Sequence, residues 1–333
     1  MPHRLGEDDL IAKYFRPLAT DPAALALRDD CAALTPPPGC DLVLKTDAVA
    51  AGIHFFPDDP WDLVAKKALR VNLSDLAAKG ARPLGYLLSL ALPADWREAD
   101  LAAFARGLAA DQAEFGLSLL GGDTIRSPAG LVVTITALGA VPTGRMPRRT
   151  DARPGDRLFV SGTLGDAALG LALRTGPERF VALDEAARAH LADRYLLPRP
   201  RVALAPAVLA HARAAMDLSD GLGLDLARLC TASGCAAEID LARLPLSPPA
   251  RTALAARPDL IEIVVAGGDD YEILAAVPPE AVADFTAAAS VAGVPVAAVG
   301  RMIAVDGEGR GGVSWRDSTG AEIPIAFGGF CHF

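Results

Sequence analysis

Residues 61–81, WDLVAKKALRVNLSDLAAKGA, form the stretch that sets the architecture. Its apolar residues recur at steps of four and three positions, at Val64, Ala68 and Val71. This spacing predicts an amphipathic helix over 61–79. Asp75 continues the same stripe, and a carboxylate on an apolar face is costly to bury unless it is paired or binds a metal. Three interpretations stay open: a metal ligand, an ion pair with Lys79, and an exposed end of the stripe.

Strands and helices alternate on both sides of this helix. Before residue 142 the pattern predicts helices at 7–18 and 97–115 and strands at 41–49, 85–92, 117–122 and 131–141. After residue 156 it predicts strands at 157–162, 214–219, 236–239, 260–266 and 271–277, and helices from 165, from 221, and at 184–195, 200–213 and 279–292. A polar segment rich in Pro and Arg, 142–157, separates the halves. The interleaving predicts a two-lobed α/β (α+β) fold with mixed sheets covered by helices, divided into domains 1–141 and 142–333.

The composition favours an acidic globular protein. The 333 residues carry a formal net charge of −9, and 51% of them are hydrophobic. A net acidic chain argues against a protein that wraps nucleic acid, so an anionic substrate requires local Arg, Lys or metal. The five cysteines form no C-x-x-C pair, which favours reduced thiols over structural zinc.

Membrane insertion and secretion are not indicated. The longest uncharged apolar run, 131–141, is short of the roughly 20 residues that a bilayer-spanning helix needs. The opening residues, MPHRLGEDDL, lack the apolar core of a signal peptide. We therefore expect a soluble, cytoplasmic protein with no membrane partner.

Five acidic segments share one context, since most of them follow a predicted strand and several include glycine. They are Asp29-Asp30, Thr46-Asp47, Gly121-Gly122-Asp123, Asp217-Leu218-Ser219-Asp220 and Gly267-Gly268-Asp269-Asp270. Ligands bind at the carboxyl ends of strands in open α/β sheets, and glycine lets a backbone approach a phosphate closely. Carboxylates without His or Cys indicate Mg²⁺. The alternative is that these residues only form turns.

Two further segments suit an anion. Five arginines, Arg145, Arg148, Arg149, Arg153 and Arg157, lie in or beside the polar segment and can bind phosphate, or they can belong to a solvated linker. The Gly-rich stretch 162–165 opens a predicted helix and can bind an anion, unless Asp166 merely caps that helix. Walker, H-E-x-x-H and G-x-S-x-G motifs are absent from the sequence. The remaining pattern favours metal-held polyphosphate chemistry.

A series of motifs in order resembles the bacterial thiamine-monophosphate kinase family. They are GEDDLIAKYF, DDCAAL, TDAVAAGIHF, KALRVNLSDLAAKGARP, GGDTIR, GRMPRRTDARPGD, VSGTLGDAALGLAL, MDLSDGLGLDLARL, GGDDYEIL and GGFCHF. The resemblance covers nearly the whole chain. It implies the two-domain fold shared with aminoimidazole ribonucleotide synthetase and selenophosphate synthetase. It also implies ATP-dependent phosphorylation of thiamine monophosphate to thiamine diphosphate, and a homodimer paired through the N-terminal, ATP- and Mg²⁺-binding domain.

The resemblance also assigns residues. The positions that match metal ligands are Asp30, Thr46, Asp47, Asp75, Asp123, Asp217 and Asp220. The positions that match ATP contacts are Gly122, Asp123, Arg149 and Ser219, and those that match thiamine phosphate contacts are His54, Asp269 and Phe330. Among these, the catalytic set is Asp47, Asp75, Asp123 and Arg149.

Two positions depart from the family pattern. Lys45 stands where relatives usually have a small polar residue, and a lysine side chain there could displace a metal. Asp269 stands where relatives usually have Glu, which shortens its reach to the substrate.

The expected mechanism follows from charge. Two polyanions must meet in an acidic protein, and several Mg²⁺ ions held by aspartates can bridge them. The acceptor phosphate is already ionised at neutral pH, so we expect direct in-line transfer without a phosphoenzyme, with Arg149 stabilising charge on the phosphates. The alternatives are a related ATP-dependent synthetase, a Mg²⁺-dependent phosphohydrolase, and a non-catalytic nucleotide-sensing dimer.

Overall fold

The chain folds into two compact units. The structure, a computed structural model, describes residues 6–305, 312–317 and 319–324. Unit 1 comprises Met1–Leu76 and Arg82–Gly144, and unit 2 comprises Ala77–Ala81 and Arg145–Phe333. No helix within the described ranges is both long and apolar enough to cross a bilayer.

Unit 1 is built on a four-stranded sheet. Its strands are β1 (Cys40–Ala50), β2 (Arg82–Leu92), β3 (Ser118–Arg126) and β4 (Val132–Pro142). Its helices are α1 (Glu7–Leu10), α2 (Trp61–Ala78, with its last two residues in unit 2) and α3 (Glu98–Phe115). The strand order is β1-β4-β2-β3, with β2 and β3 parallel and the other pairs antiparallel. β1 and β3 are therefore the two edges of the sheet.

The two faces of this sheet differ because residues alternate along each strand. On β4, Val133 and Ile135 are fully buried on one face. The other face exposes large apolar side chains: 64% of Leu44 on β1, 40% of Leu87 on β2 and 56% of Ile125 on β3. We call this second face the open face.

Helices α2 and α3 are fixed to each other by a buried ion pair. Arg70 Nε and Nη2 donate to Asp111 Oδ2 and Oδ1 at 2.7 and 2.8 Å. Gly107 of α3 packs so closely that a Cβ there would lie 2.3 Å from the Asp62 carbonyl oxygen. Residues spaced three and four apart, Leu101, Phe104 and Leu108, form the fully buried stripe of α3.

Unit 2 contains a seven-stranded mixed sheet. Its strands are β5 (Arg157–Ser161), β6 (Ala214–Leu218), β7 (Ala236–Asp240), β8 (Glu272–Val277), β9 (Val296–Ile303), β10 (Val313–Arg316) and β11 (Glu322–Ile323), in the order β11-β10-β7-β9-β5-β8-β6. Its helices are α4 (Asp166–Thr175), α5 (Glu185–Leu196), α6 (Ala205–His211), α7 (Leu222–Ser233), α8 (Pro248–Ala256), α9 (Ile261–Ala266) and α10 (Val282–Val291). Apolar residues from both the strands and the helices form two buried clusters. This mixed architecture confirms the predicted fold class.

Two predicted elements differ most from the observed ones. The predicted strand at 260–266 is wrong, because these residues form a short 3₁₀ turn and helix α9. Leu260 and Val264, four residues apart, are buried while Glu262 is exposed, which is a helical period that the β-branched composition concealed. The predicted first helix, 7–18, is present, but after Leu10 it continues as one π-helical and one 3₁₀ segment.

Candidate functional site

In unit 1, three charged side chains meet between β1 and α2. Lys45 and Asp47 are two residues apart on β1 and therefore point to the same face. Lys45 Nζ lies 3.1 Å from Asp47 Oδ1 and 2.9 Å from Asp75 Oδ2. Burial lowers the pKa of the Lys45 ammonium, but the carboxylates of Asp75 and Asp47 outweigh burial and raise the pKa above its usual value. Asp75 thus pairs with Lys45, a partner that the helix pattern did not indicate.

Thr46 and Asp30 lie apart from this pair. Thr46 is exposed, and its Oγ1 accepts a hydrogen bond of 3.0 Å from Thr136 Oγ1 on β4. Asp30 lies in the exposed loop before β1, where its N–H donates to Asp29 Oδ1 at 2.8 Å. Both side chains are accessible to a ligand.

Gly122 and Asp123 occupy the other edge of the sheet, on β3. A Cβ on Gly122 would lie 1.8 Å from the Leu88 carbonyl oxygen, so no larger residue fits without moving the backbone. Asp123 is exposed and lies opposite Ser89 in the β2–β3 pairing.

The strand register separates Asp47 from Asp123. Asp47 lies opposite Ile135, Ile135 lies opposite Leu88, and Leu88 lies opposite Gly122. These four residues therefore form one row on the covered face, the face of the sheet opposite the open face. Three strand spacings make this row roughly 14 Å long. Asp123 follows Gly122 and therefore belongs to the open face. Within one chain, the structure does not bring Asp123 to Asp47.

His54 lies in a tight turn that follows β1. The ring Nδ1 of His54 accepts a hydrogen bond of 3.1 Å from the Ala50 backbone N–H. The backbone N–H of His54 donates to the Ala50 carbonyl oxygen at 3.0 Å. Lys67 of α2, only 1% exposed, donates from Nζ to the His54 carbonyl oxygen at 2.8 Å. Asp59 Oδ2 accepts from the Phe56 N–H at 2.8 Å. Because Nδ1 is an acceptor, the neutral ring carries its proton on Nε2.

In unit 2, the segment after β6 is held by one buried carboxylate. Asp217 is buried at the end of β6, and Ser219 and Asp220 follow it. Asp225 Oδ2 accepts from the Ser219 and Asp220 N–H groups at 3.0 and 2.9 Å. Burial raises the pKa of Asp225. Arg228 Nη1 bonds to Asp225 Oδ1 at 2.8 Å and also to Asp220 Oδ2.

The segment before β8 packs on the segment after β6. The Asp269 N–H donates to the Ser219 carbonyl at 2.9 Å, and the Tyr271 N–H donates to the Leu218 carbonyl at 2.8 Å. Asp269 and Tyr271 both have left-handed backbone conformations, with φ of 70° and 50°. Unit 2 thus brings together the predicted ATP residue Ser219 and the predicted substrate residue Asp269.

The N–H groups at the Gly-rich start of α4 already have an acceptor within the protein. Asp270 Oδ2 and Oδ1 accept from the Gly165 and Ala167 N–H groups at 2.7 and 3.4 Å. Complete burial raises the pKa of Asp270 to about 8. Asp166 instead bonds to Thr163 Oγ1 at 2.7 Å, so it does not cap the helix in the way that the sequence suggested. The side chain of Asp270 therefore occupies the position at the start of α4 where an external anion could have bound.

Two predicted residues remain, Arg149 near the start of unit 2 and Phe330. Arg149 is exposed, and its carbonyl oxygen accepts from Ser233 Oγ at 2.8 Å. Its neighbour Arg148 pairs with Asp151 at 2.9 Å. Phe330, the predicted aromatic contact for thiamine, lies outside the described residues.

Metal binding depends on the donors available. Among the residues that the structure describes, no three His, Cys, Asp or Glu side chains are grouped closely enough to hold a metal ion. Mg²⁺ commonly takes only one or two carboxylates and completes its shell with water and substrate phosphates. Asp47 and Asp75 are carboxylates of the kind that Mg²⁺ binds, but Asp47 Oδ1 and Asp75 Oδ2 are both already paired with Lys45.

Two positioning residues were not recognised from the sequence. Lys67 contacts the His54 loop, and Asp225 holds Ser219 and Asp220. Lys67 lies three residues after Val64, next to the apolar stripe of α2. A lysine at this position could have indicated a buried side chain with a hydrogen-bond partner. Asp225 is an acid in the first turn of α7, a position that favours contacts with backbone N–H groups.

Comparison with known proteins gives consistent matches. Residues 28–141 match the AIR synthase related protein N-terminal domain, and residues 153–312 match the corresponding C-terminal domain. The chain is 48% identical to a thiamine-monophosphate kinase of Caulobacter vibrioides, covering 91% of this chain and 85% of that protein. It is 40% identical to that of Escherichia coli K12, covering 98% of each.

Solved structures agree with these sequence matches. Thiamine-monophosphate kinase from Stenotrophomonas maltophilia superposes with a TM-score of 0.81 and 36% identity, over 92% of this chain and 94% of that one. AaThiL complexed with AMPPCP and TMP superposes with a TM-score of 0.76 and 29% identity, over the full length of both chains. The motifs, the two matched domains and these relatives together confirm the resemblance: the chain belongs to the thiamine-monophosphate kinase family.

Proposed function

We propose that this protein transfers the terminal phosphoryl group of ATP to thiamine monophosphate, producing ADP and thiamine diphosphate. The observation that carries the proposal is 40–48% identity to thiamine-monophosphate kinases over most of the chain, together with the site residues described above. A related structure contains AMPPCP and TMP, the same two ligand classes. Because the enzyme would consume ATP, we place it in the cytoplasm.

The residues of unit 1 would orient the reacting phosphates. Gly122, where a Cβ would meet the Leu88 carbonyl oxygen of β2, would offer the backbone of β3 to a nucleotide. The neutral His54 ring offers an Nε2–H donor to the phosphate or pyrimidine of the acceptor. Asp47, Asp75, Asp123, Thr46 and Asp30 would provide oxygen ligands. Mg²⁺, entering with the nucleotide, would neutralise phosphate charge.

The residues of unit 2 would contribute to both ligands. Asp225 fixes the N–H groups of Ser219 and Asp220, which leaves Ser219 oriented for the nucleotide. Asp217 and Asp220 would supply further carboxylates, and Asp269 would contact the thiamine moiety. Arg149, exposed near the start of unit 2, would stabilise charge on the transferring phosphoryl group. The acceptor phosphate is the nucleophile, so the chain needs no strong general base.

We further propose that a second copy of this chain covers the open face of unit 1. This face exposes Leu44, Leu87 and Ile125, apolar side chains that a monomer rarely gathers on one sheet. It also carries Asp123, which its own chain keeps away from Asp47. Because β1 is an edge strand, a ligand at that edge would reach both Thr46 on the open face and Asp47 on the covered face. Symmetric pairing of two open faces would bring Asp123 of the other protomer to the same edge.

The reaction is tested directly by phosphorus NMR of ATP, thiamine monophosphate, Mg²⁺ and the protein. We expect ADP and thiamine diphosphate in a one-to-one ratio, and little ATP consumption without the acceptor, because a closed site excludes water. ATP hydrolysis that ignores thiamine monophosphate would contradict the kinase and favour the phosphohydrolase. The absence of any turnover would favour a nucleotide-sensing dimer.

A further inference from the structure

We propose that Lys45 is a tethered cation that replaces one divalent metal ion between Asp47 and Asp75. The inference deepens the proposed kinase function and rests on it, since it concerns the charge balance of the same phosphate-binding site. Its consequence is that this chain binds one metal ion fewer than it would with a small side chain at position 45.

The geometry places one ammonium group between two carboxylates. Lys45 reaches from β1 so that Nζ lies 3.1 Å from Asp47 Oδ1 and 2.9 Å from Asp75 Oδ2. These are ion-pair distances to two different elements, a strand and a helix. The side chains are 31% exposed for Lys45 and 20% exposed for Asp75, so solvent screens the contact only in part.

A divalent ion and this ammonium cannot share the same oxygens. Mg²⁺ binds oxygen at about 2.0–2.1 Å, so an ion bridging Asp47 and Asp75 would lie in the space that Nζ now fills. Two cations in contact repel strongly where solvent is limited. Either Lys45 leaves these carboxylates when metal binds, or it remains and one metal ion is excluded.

The structure favours the second alternative because departure is costly. Leaving would separate Lys45 from two carboxylates in a partly desolvated site, where charge-assisted contacts are stronger than at the surface. The lysine supplies a single positive charge that needs no recruitment from solution. Turnover should therefore depend less on free Mg²⁺ than it would without Lys45.

Counting bound Mn²⁺ by electron paramagnetic resonance tests the inference. The full-length protein is titrated with Mn²⁺, alone and with AMPPCP, as wild type, Lys45→Ala and Lys45→Arg. Lys66→Ala is the matched control, because it removes the same charge from the same unit and has no assigned role at the site. Thermal melting of each variant verifies folding.

We expect Lys45→Ala to bind one more Mn²⁺ than the wild type, and Lys45→Arg and Lys66→Ala to bind the same number. We also expect the Mg²⁺ concentration for half-maximal turnover to rise at least threefold in Lys45→Ala. An unchanged Mn²⁺ count in folded Lys45→Ala would overturn the inference.

A measurement on the wild type covers the case in which Lys45→Ala does not fold. The ¹⁵N-labelled lysine ammonium signal of Lys45 should persist when Mg²⁺, AMPPCP and thiamine monophosphate are saturating. If this signal disappears because the ammonium protons exchange rapidly with water, metal displaces Lys45 and the inference is refuted. If the Mn²⁺ counts differ as expected but no variant makes thiamine diphosphate, the kinase proposal fails and the role of Lys45 stands.

Discussion

A buried lysine and a backbone N–H group together fix the orientation of His54. Lys67 holds the His54 carbonyl, and the Ala50 N–H holds the ring at Nδ1, so the main chain and the side chain of His54 are fixed from two directions. A ligand that approaches this turn meets a donor at Nε2 whose direction is already set. Preorganisation of this kind lowers the entropic cost of binding.

We therefore expect Lys67→Met to weaken thiamine monophosphate without affecting ATP. Met keeps the volume but cannot donate to the His54 carbonyl, and a hydrogen bond from a charged donor contributes about 1.5–3 kcal/mol. The KM for thiamine monophosphate should rise by roughly tenfold, with the KM for ATP within about twofold of wild type. Steady-state kinetics with each substrate varied separates these constants.

Lys66→Met is the control for this experiment, because it makes the same substitution at the neighbouring position. A parallel rise of both KM values, accompanied by a lower Tm, would show that Lys67 only stabilises unit 1 and does not position His54.

For single residues, the sequence predicted candidate site residues better than it predicted the residues that hold them in position. Asp75 was identified as anomalous because it continued an apolar stripe, and the structure gives it an ionic partner. Lys67 and Asp225 act through hydrogen bonds to backbone atoms, and such bonds depend on which loop packs against which helix. A helix pattern contains no information about a carbonyl in another segment, so these roles required the tertiary structure.

At the scale of the element, β3 depends on one of its two adjacent glycines. A Cβ on Gly122 would lie 1.8 Å from the Leu88 carbonyl oxygen of β2, a backbone atom that cannot rotate away. A Cβ on Gly121 would meet only Leu87 Cδ2, at 3.4 Å. Adjacent glycines thus have different structural requirements.

This contrast gives a matched pair of variants. Gly122→Ala should displace β3 from β2 and lower the free energy of unfolding by about 1–3 kcal/mol or more, the range for overpacked sites. Gly121→Ala should change it by less than about 1 kcal/mol. Urea denaturation followed by circular dichroism measures both, and equal losses would contradict the steric argument.

The start of α4 adds a pH dependence to unit 2. Asp270 has a folded-state pKa of about 8 because it is completely buried, whereas an exposed Asp has a pKa near 3.9. Between these values the folded state retains a proton that the unfolded state has lost. The free energy of unfolding should therefore fall as pH rises from about 4 to 8, by up to about 1.4 kcal/mol per pH unit from this group.

Asp270→Asn isolates this contribution, because the amide does not titrate. Urea melts at pH 5, 6, 7 and 8 should show a shallower decline for the variant than for the wild type. Identical slopes would indicate that Asp270 is ionised throughout, held by the Gly165 N–H and by the charge of Arg194.

On the scale of the whole molecule, the expected dimer makes a quantitative prediction. Asp47→Asn and Asp123→Asn should each inactivate the enzyme. If Asp47 of one protomer acts with Asp123 of the other, a mixture of the two variants forms hybrid dimers in which one of the two sites is intact. Half of the dimers in a statistical mixture are hybrids, so about one quarter of wild-type activity should return.

Co-expression of the two variants with different affinity tags allows the hybrid to be purified and assayed. Recovery of activity in the hybrid supports the shared site. A hybrid as inactive as its parents would show that each site requires Asp47 and Asp123 from the same chain and would contradict the shared site. Light scattering would then report whether the open face pairs at all.

The global architecture was largely predictable, and the reasons are physical. Strand alternation and helical spacing are local, so β1, α2 and α3 were located to within a few residues. Strand order is not local: nothing in residues 40–50 or 118–126 indicates that β1 and β3 form opposite edges. The separation of Asp47 from Asp123 follows from that order, which is why the predicted metal positions appeared to form a single group.

The position of β5 in its sheet has a consequence for synthesis of the protein. β5 (Arg157–Ser161) pairs with β8 and β9, which end at Val277 and Ile303. A ribosome that adds roughly 5–20 residues per second finishes β9 roughly 7–28 s after β5. Both edges of β5 lack their partners until β8 is complete, and one edge lacks its partner until β9 is complete; exposed strand edges of this kind favour aggregation and chaperone binding. A messenger RNA truncated before the codon for residue 296 should accordingly yield an insoluble product, whatever the state of unit 1.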